Sequence, residues 1–294
     1  MWNEFVANAK NATFLFHRDF MEYHQDRFDD FSLMVFDEKN KLKAILPANR
    51  VGNILYSHQG LTYGGIVFEK NHNPINTSNI IDSILVFLKE ALFTTIFIKS
   101  IPIFYHKSNA AELDYFLFQK GATIENREMN LAIDLRKDWK LSKSKLKHFK
   151  KVQTKLDLVE EFDFNPFWSQ VLTPRLFEKY DTKPVHTLDE ILYLKEKFST
   201  NIIQYSAYFE GEIVAGITIF KNDKVVKSQY GAITKVGEKL RALDFLFISL
   251  IEKYKNQDYF FFDMGTVLHN EGLLNQKIEL GCDVFTNDHY SLKI

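Results

Sequence analysis

Two tandem copies of an α/β unit, each a mixed central sheet flanked by helices, form the fold this 294-residue sequence predicts. Three observations carry that reading. Hydrophobic residues make up 46% of the chain, with 28 Phe and 13 Tyr, enough for two packed cores. Alternating strand-type runs are interleaved with stripes of helical period, the pattern of sheets covered by helices. The order hairpin, strand, helix, strand, helix, strand occurs twice, and local wording is echoed: SHQGLTYGG (57–65) beside SQYGA (228–232), and FLFQKGA (116–122) beside LLNQKIELGC (273–282).

The first copy is expected over residues 1–140. Residues 3–11 and 16–24 read as short helices or turns with an aromatic face. Residues 32–37 and 42–47 make a hairpin around the polar turn 38–41, and strand-type residues follow at 54–65 and 66–69. Thr77 or Ser78 caps a helix running to about Leu92, with Ile80, Ile81, Ile84, Leu85 and Leu88 on one stripe. A strand at 94–99, a helix at 110–120 stopped by Gly121, and a strand at 130–135 complete the copy.

The second copy is expected over 141–294: a helical linker region at 141–199 and a core at 200–294. Residues 136–156 carry nine Lys or Arg and read as a basic helix capped by Ser142 or Ser144. A helical stretch at 160–199 is broken by Pro166, Pro174 and Pro184. A hairpin (204–209 with 213–220), a strand (225–233), a helix (243–254), a strand (259–264), a helix (270–281) and a closing strand (283–292) follow.

Composition bounds the function. Net charge is −1, so no global charge excess recruits nucleic acid. The single Cys282 excludes an intramolecular disulfide and fits a reducing compartment. Residues 1–10 carry Glu4 and two Asn where a leader would need an apolar core, and the best uncharged apolar run, 91–98, is a buried-strand candidate rather than a membrane span. A soluble, cytoplasmic protein is expected. There is no HExxH or paired CxxC, so no metal site is expected; GxSxG, GxxxxGK[ST] and GxGxxG are missing too. Cys282, after a helix-ending glycine, reads as a small buried hydrophobe.

The chemistry-bearing stretch is TKVGEKLRA (234–242), where Lys235, Gly237, Lys239 and Arg241 crowd the bend between a strand and a helix. Unpaired N–H groups and the helix dipole make such a bend a seat for phosphate, with glycine allowing close backbone approach. A solvated turn would carry the same residues. The equivalent stretch of the first copy (70–78) has no glycine, so only the second copy is expected to hold phosphate.

Candidate proton-handling groups are Asp263, Glu271, His58 and His186; each has a bland alternative as a loop acceptor, a helix-dipole partner, a packed core ring or a loop residue. Tyr63, Tyr230 and Tyr290 could protonate a leaving group or stack on a sugar, with aromatic core as the alternative. Gln59, Gln229, Asn270 and Gln276 are candidates for sugar hydroxyls, and Lys277 for a phosphate. The basic helix is a candidate for a sugar-nucleotide diphosphate or tRNA, or simply a solvated face.

The words SHQGLTYGG (57–65), IPIFYHK (101–107), LSKSKLKHFKK (141–151), KPVHTLDEI (183–191), IVAGITIF (213–220), SQYGAI (228–233), ALDFLF (242–247), FFDMGT (261–266) and NEGLLNQK (270–277), in that order, resemble the FemAB-like branch of the GNAT acyltransferase superfamily, of the bacterial surface-polysaccharide type. The resemblance implies two tandem GNAT-like domains. It implies an acyl thioester lying where the strand before the bend parts from the strand after the helix, here Gln229–Gly231 against 262–265, with Ala242 at the donor's phosphates. It further implies transfer of an acyl group, acetyl by preference, from acyl-CoA to an amino sugar that is sugar-nucleotide- or lipid-linked. Two rivals stand beside this: a Fem-type aminoacyltransferase using aminoacyl-tRNA, and a catalytically inactive glycan-binding module. The sequence departs from the GNAT phosphate pattern Gln/Arg-x-x-Gly-x-Gly/Ala by having one glycine, and Ile278 stands where the family word after NEGL has Glu.

Overall fold

The computed structural model describes residues 1–268 and 270–294, and the chain divides into two compact units. Residues 1–128 and 286–294 form the first; residues 129–285 form the second.

The first unit opens with the short helices α1 (Trp2–Asn8) and α2 (Arg18–Met21). The short strand β1 (Asp29–Asp30) follows. A hairpin of β2 (Leu33–Phe36) and β3 (Leu42–Leu46) is next, and a second one forms from β4 (Asn49–Val51) and β5 (Ile54–Tyr56). After β6 (Val67–Phe68) come α3 (Thr77–Glu90), β7 (Thr95–Lys99), α4 (Glu112–Gln119) and the start of β8 (Thr123–Asp134). Two sheets result: β2-β3-β6, and the mixed sheet β1-β4-β5-β7 completed by residues 289–293 of β14 (Asp283–Lys293). The two strand-type stretches expected at 54–65 and 66–69 are each represented by a short strand. The first, β5, lies parallel to β7, and the second, β6, pairs with β3. The stripe Ile80, Ile81, Ile84 and Leu88 of α3 packs on Ala44, Leu55, Ile96 and Ile98, joined by Tyr290 and Leu292 of β14.

Three local details differ from expectation. Neither Thr77 nor Ser78 is the cap: Asn76 holds that position, and the Thr77 hydroxyl is bonded to His72 Nε2 at 2.7 Å. The strand expected at 94–99 runs Thr95–Lys99, and the first residues of the buried-strand candidate 91–98 stay outside it, because Leu92 takes a left-handed turn (φ 63°) and is exposed. Residues 160–161 are not helical.

In the second unit, α5 (Lys143–Val152) is capped by Ser142, whose Oγ accepts the Lys145 N–H at 3.2 Å. Residues 160–161 end the edge strand β9 (Asp157–Glu161). Pro166 and Pro174 sit in the first turns of α6 (Asn165–Phe167) and α7 (Thr173–Tyr180), starting helices rather than breaking one, since a first-turn N–H has no intrahelical partner to lose. A π-helical turn, Trp168–Leu172, joins α6 to α7, and α8 (Leu188–Lys197) follows with a full capping box at Thr187 and Glu190.

Then come β10 (Ile202–Phe209), β11 (Glu212–Lys221), β12 (Val225–Ile233), α9 (Lys235–Leu240), α10 (Ala242–Lys255), β13 (Phe261–Val267) and α11 (Glu271–Glu279). The strand order is β9-β10-β11-β12-β13, continued by residues 129–134 of β8; among the described residues of this unit only β12 and β13 pair in parallel. Strand alternation sorts the two faces. Ala215, Ile217 and Ile219 of β11 pack with α10. Gly216 and Thr218 look the other way: the Phe167 ring lies where a Cβ on Gly216 would be, and Thr218 Oγ1 accepts from Trp168 Nε1. Helix α5 covers α10, with Phe149 stacked on Phe245. Among the described residues no helix is long and apolar enough to cross a membrane.

The units do not follow the expected division at 140/141, because β8 and β14 each begin in one unit and end in the other. The last nine residues therefore belong to the first core. A chain ending at Phe285 loses the burial of Tyr290 and Leu292, worth about 4 kcal/mol together. Limited proteolysis with mass mapping is expected to show cutting within residues 1–128 while 129–285 keeps its resistance.

Candidate functional site

The second unit contains a fork between two parallel strands. β12 pairs with β13 through three residues, Val225↔Phe261, Val226↔Phe262 and Lys227↔Asp263, and no further. On its other edge β12 stays bonded to β11 as far as Ile233, with one bulged residue, Gln229, between the pairs Ile219↔Ser228 and Thr218↔Tyr230. The backbone of Ser228–Gly231 thus has no strand partner on its β13-facing edge.

Three side chains hold the fork. Asp263, which was expected at the end of its strand, lies inside β13 at an irregularity before Gly265 (φ 75°). It is buried, with Oδ1 accepting the Gly265 N–H at 2.7 Å and Oδ2 accepting from Lys227 Nζ at 3.2 Å. Lys277 of α11 donates to the carbonyls of Gly265 (3.1 Å) and Thr266 (3.2 Å), the groups the irregularity would otherwise strand. Burial pushes the Lys277 ammonium down to about 8; Lys227 adds to this and Asp263 opposes it. Cys282 packs against Met264, and burial pushes its thiol up to about 12, which suits the hydrophobe expected.

The bend after β12 is a helix, not the open loop that was expected. Thr234 caps α9, its Oγ1 taking the Gly237 N–H at 3.0 Å. Gly237 is buried, and a Cβ there would stand 2.2 Å from the Val214 carbonyl oxygen. The glycine is required by contact with β11, and its N–H is already engaged. Lys235 is paired with Glu178 of α7, and Glu238 with Arg175. What stays open is the next step. Arg241 turns left-handed (φ 49°), and the fourteen-residue α10 starts at Ala242 with no side-chain cap. Lys239 and Arg241 are exposed and form no ion pair with any described residue. Asp244, three residues into α10, is neutralised by Lys145 of α5, which reaches both its oxygens at 2.7 Å.

The structure brings three of the sequence-predicted residues together: Tyr230, His186 and Gln229, whose amide also bonds to the phenol. Tyr230 is hydrogen-bonded to His186 Nδ1, and also accepts the His186 backbone N–H at 3.3 Å. That N–H donates to the phenol oxygen, and the bond between Oη and Nδ1 carries one proton, held by either atom according to the imidazole tautomer. Trp168 packs edge-on against Tyr230, and burial pushes the phenol up to about 12.

Others have structural partners. Asn270 caps α11 through the Leu273 N–H, and Gln276 donates to Asp244. Glu271 is exposed on the first turn of α11. In the first unit, Gln59 exchanges hydrogen bonds with Asn49, and Tyr63 is core, packed on Phe16 and Tyr105. Tyr290 joins that same core. His58 is buried in a left-handed turn beside His24 and Phe28, and burial pushes its imidazolium down to about 4.

Sequence reasoning missed Lys227, Thr234, Lys145 and Asp244. Lys227 had a signal: a cation inside the apolar run VVKSQYGAI needs a buried partner.

The first copy repeats the fork's register. β5 and β7 also pair through three residues, Ile54↔Thr95, Leu55↔Ile96 and Tyr56↔Phe97. There the fork is closed: the Ser57 N–H reaches Phe97 O, the Lys99 N–H reaches Ser57 Oγ, and the Gly64 N–H reaches Lys99 O, all within 2.8 Å.

No protein-family model matches the sequence, and no curated protein matches it. Solved structures do match. The chain is similar to FemX over 100% of its length and 95% of that chain (TM-score 0.74, 9% identity). It is similar to L-PGS from Bacillus licheniformis over 90% and 84% (TM-score 0.61, 14% identity). It is similar to a tandem GNAT protein from the clavulanic acid biosynthesis pathway over 89% and 82% (TM-score 0.53, 10% identity). The fold is GNAT-like, as the sequence resemblance implied.

Lys277 is expected to titrate near pH 8, read by NMR of 13Cε-labelled lysine. Asp263→Asn removes the anion that favours its charge, so the titration moves lower still. A Lys277 midpoint at the ordinary lysine value would contradict this description of the fork.

Proposed function

We propose that the protein is an acyltransferase whose second unit binds an acyl-CoA donor and passes its acyl group to an amine, with an amino sugar of cell-surface glycan synthesis as the acceptor class. The observation that carries this is the open fork beyond Lys227 and Asp263, whose strand leads through α9 to an uncapped helix start flanked by two unpaired cations. A diphosphate is the natural ligand for such a helix start, with Lys239 and Arg241 balancing its charge and the N–H groups from Ala242 onward donating. The thioester lies along Gln229–Gly231, where backbone N–H groups at the bulge stabilise the developing oxyanion.

In the transfer step the acceptor nitrogen attacks the thioester carbonyl carbon, the C–S bond breaks, and CoA leaves as thiolate. The proton lost by the nitrogen goes to Tyr230 Oη as the phenol gives its own to His186 Nδ1. Asp263 and Lys277 keep the fork open and are committed to the backbone. Glu271, exposed at the start of α11, is the remaining carboxylate candidate for the acceptor's ammonium.

A second reading is aminoacyl transfer of the Fem type from aminoacyl-tRNA. The likeness to FemX along the whole chain favours it, as do Lys147, Lys150 and Lys151 on α5, which are exposed and form no ion pair with a described residue. The catalytically inactive glycan-binding module has no such observation behind it.

Acetyl-CoA and longer acyl-CoAs are expected to raise the melting temperature. Lys239→Ala with Arg241→Ala is expected to abolish that rise and increase KM for the donor about 10–100-fold, at unchanged stability, since both side chains are exposed. A rise with aminoacyl-tRNA alone would select the second reading; glycan binding without turnover would select the inactive module. Tyr230→Phe is expected to lower kcat about 10²–10³-fold with donor KM unchanged; equal losses in kcat and donor affinity would remove the Tyr230–His186 pair from the proton path.

A further inference from the structure

The first unit has a cavity that the proposed transfer does not use. It lies against the end of β7, the start of α4 and the middle of β14, with a volume of about 180 Å³. That is room for roughly six waters, or one hexose-sized ring. Its polar lining includes Ser100, His106, Asp114, Asn287 and Asp288, and Ile101, Ile103 and Ala111 form the apolar part.

The polar atoms that lack partners are all acceptors. Asn287 is 5% exposed; its amide faces Glu128, which fixes the NH2 on that side, and its Oδ1 meets no donor. The His106 ring donates to the Ile101 carbonyl, and its Nδ1 also meets no donor. Burial pushes that imidazolium down to about 4, so Nδ1 keeps its lone pair at neutral pH. Asp288 is consumed by Arg127, which grips both its oxygens at 2.6 and 2.8 Å. Asp114, exposed on α4, forms no ion pair with a described residue; it accepts hydrogen bonds from the Ser100 hydroxyl at 3.3 Å and from the Tyr290 phenol. Desolvation, with Asp288 and Glu112 nearby, raises its carboxyl against the two hydroxyls that lower it. An anionic ligand would meet two carboxylates and no free cation. A ligand with one ammonium and several hydroxyls would satisfy Asp114, His106 Nδ1 and Asn287 Oδ1 together, laying its apolar face on Ile101 and Ile103.

We propose that this cavity is a binding site for a small hydroxylated primary amine of about hexosamine size, recognised by Asp114, His106 and Asn287. It stands apart from the acyl-donor seat: loss of acyl-CoA binding leaves it intact, and its own failure says nothing about the donor.

The test is a titration of the full chain, labelled at isoleucine methyls, with glucosamine. Saturable shifts are expected at Ile101 and Ile103, with Ile217 and Ile219 of the second unit unmoved. Glucose and N-acetylglucosamine, which lack the ammonium, are expected to bind at least about tenfold more weakly. Asp114→Asn is expected to remove the response. Ile103→Trp fills the mouth from an exposed position that the fold does not need, and is expected to block it as well. No shift with glucosamine, glucose binding as tightly as glucosamine, or Ile103→Trp binding like the unsubstituted chain would each overturn the proposal.

Discussion

The parting of β12 from β13 is the constraint on which the second unit depends. Two parallel strands that stop pairing after three residues leave backbone groups that must be satisfied elsewhere or exposed. Here Asp263 takes the Gly265 N–H, Lys277 takes two carbonyls, and Lys227 balances Asp263 from the facing strand. Three charges brought out of water must support one another; removing one partner of such a buried pair costs about 3–5 kcal/mol. The arrangement is therefore strong as a set and weak in parts.

Comparison of the two copies shows what this set does. Both forks share the three-pair register, and serine follows the third pair in each, Ser57 in one and Ser228 in the other. In the first copy, Ser57 and Gly64 stitch the fork shut, and Gly64 has no room for a side chain against the Ser57 carbonyl. In the second, a strand continues to α9 and α10, and the stitching is replaced by side chains placed behind the opening. The same three-pair register thus ends in a packed turn in one copy and in an edge without a strand partner in the other.

Much of this was legible in the chain. The repeated element order, the stripe of α3, the Ser142 cap and the strand Val225–Ile233 follow from period and capping chemistry. The bend at 234–242 reads as a loop because one glycine and three cations suggest one. Gly237 turned out to serve contact with the Val214 carbonyl, and Thr234 to cap a helix. Glu160 and Glu161 looked helical beside three prolines, yet join an edge strand, where pairing with β10 overrides local preference. Gln59, Asn270 and Gln276 were plausible ligands for hydroxyls; whether an amide faces a ligand or a neighbouring residue depends on partners distant in sequence.

The sequence alone determined the class of fold, the duplication and the segment in which a phosphate seat was sought, because hydrophobic period, capping and turn chemistry act over a few residues. Tertiary structure decided which copy stays open, which lysines remain unpaired, that Tyr230 meets His186, and that the last nine residues complete the first core. Those outcomes depend on strand register and on charges that meet only after the chain has folded, and no local pattern records them.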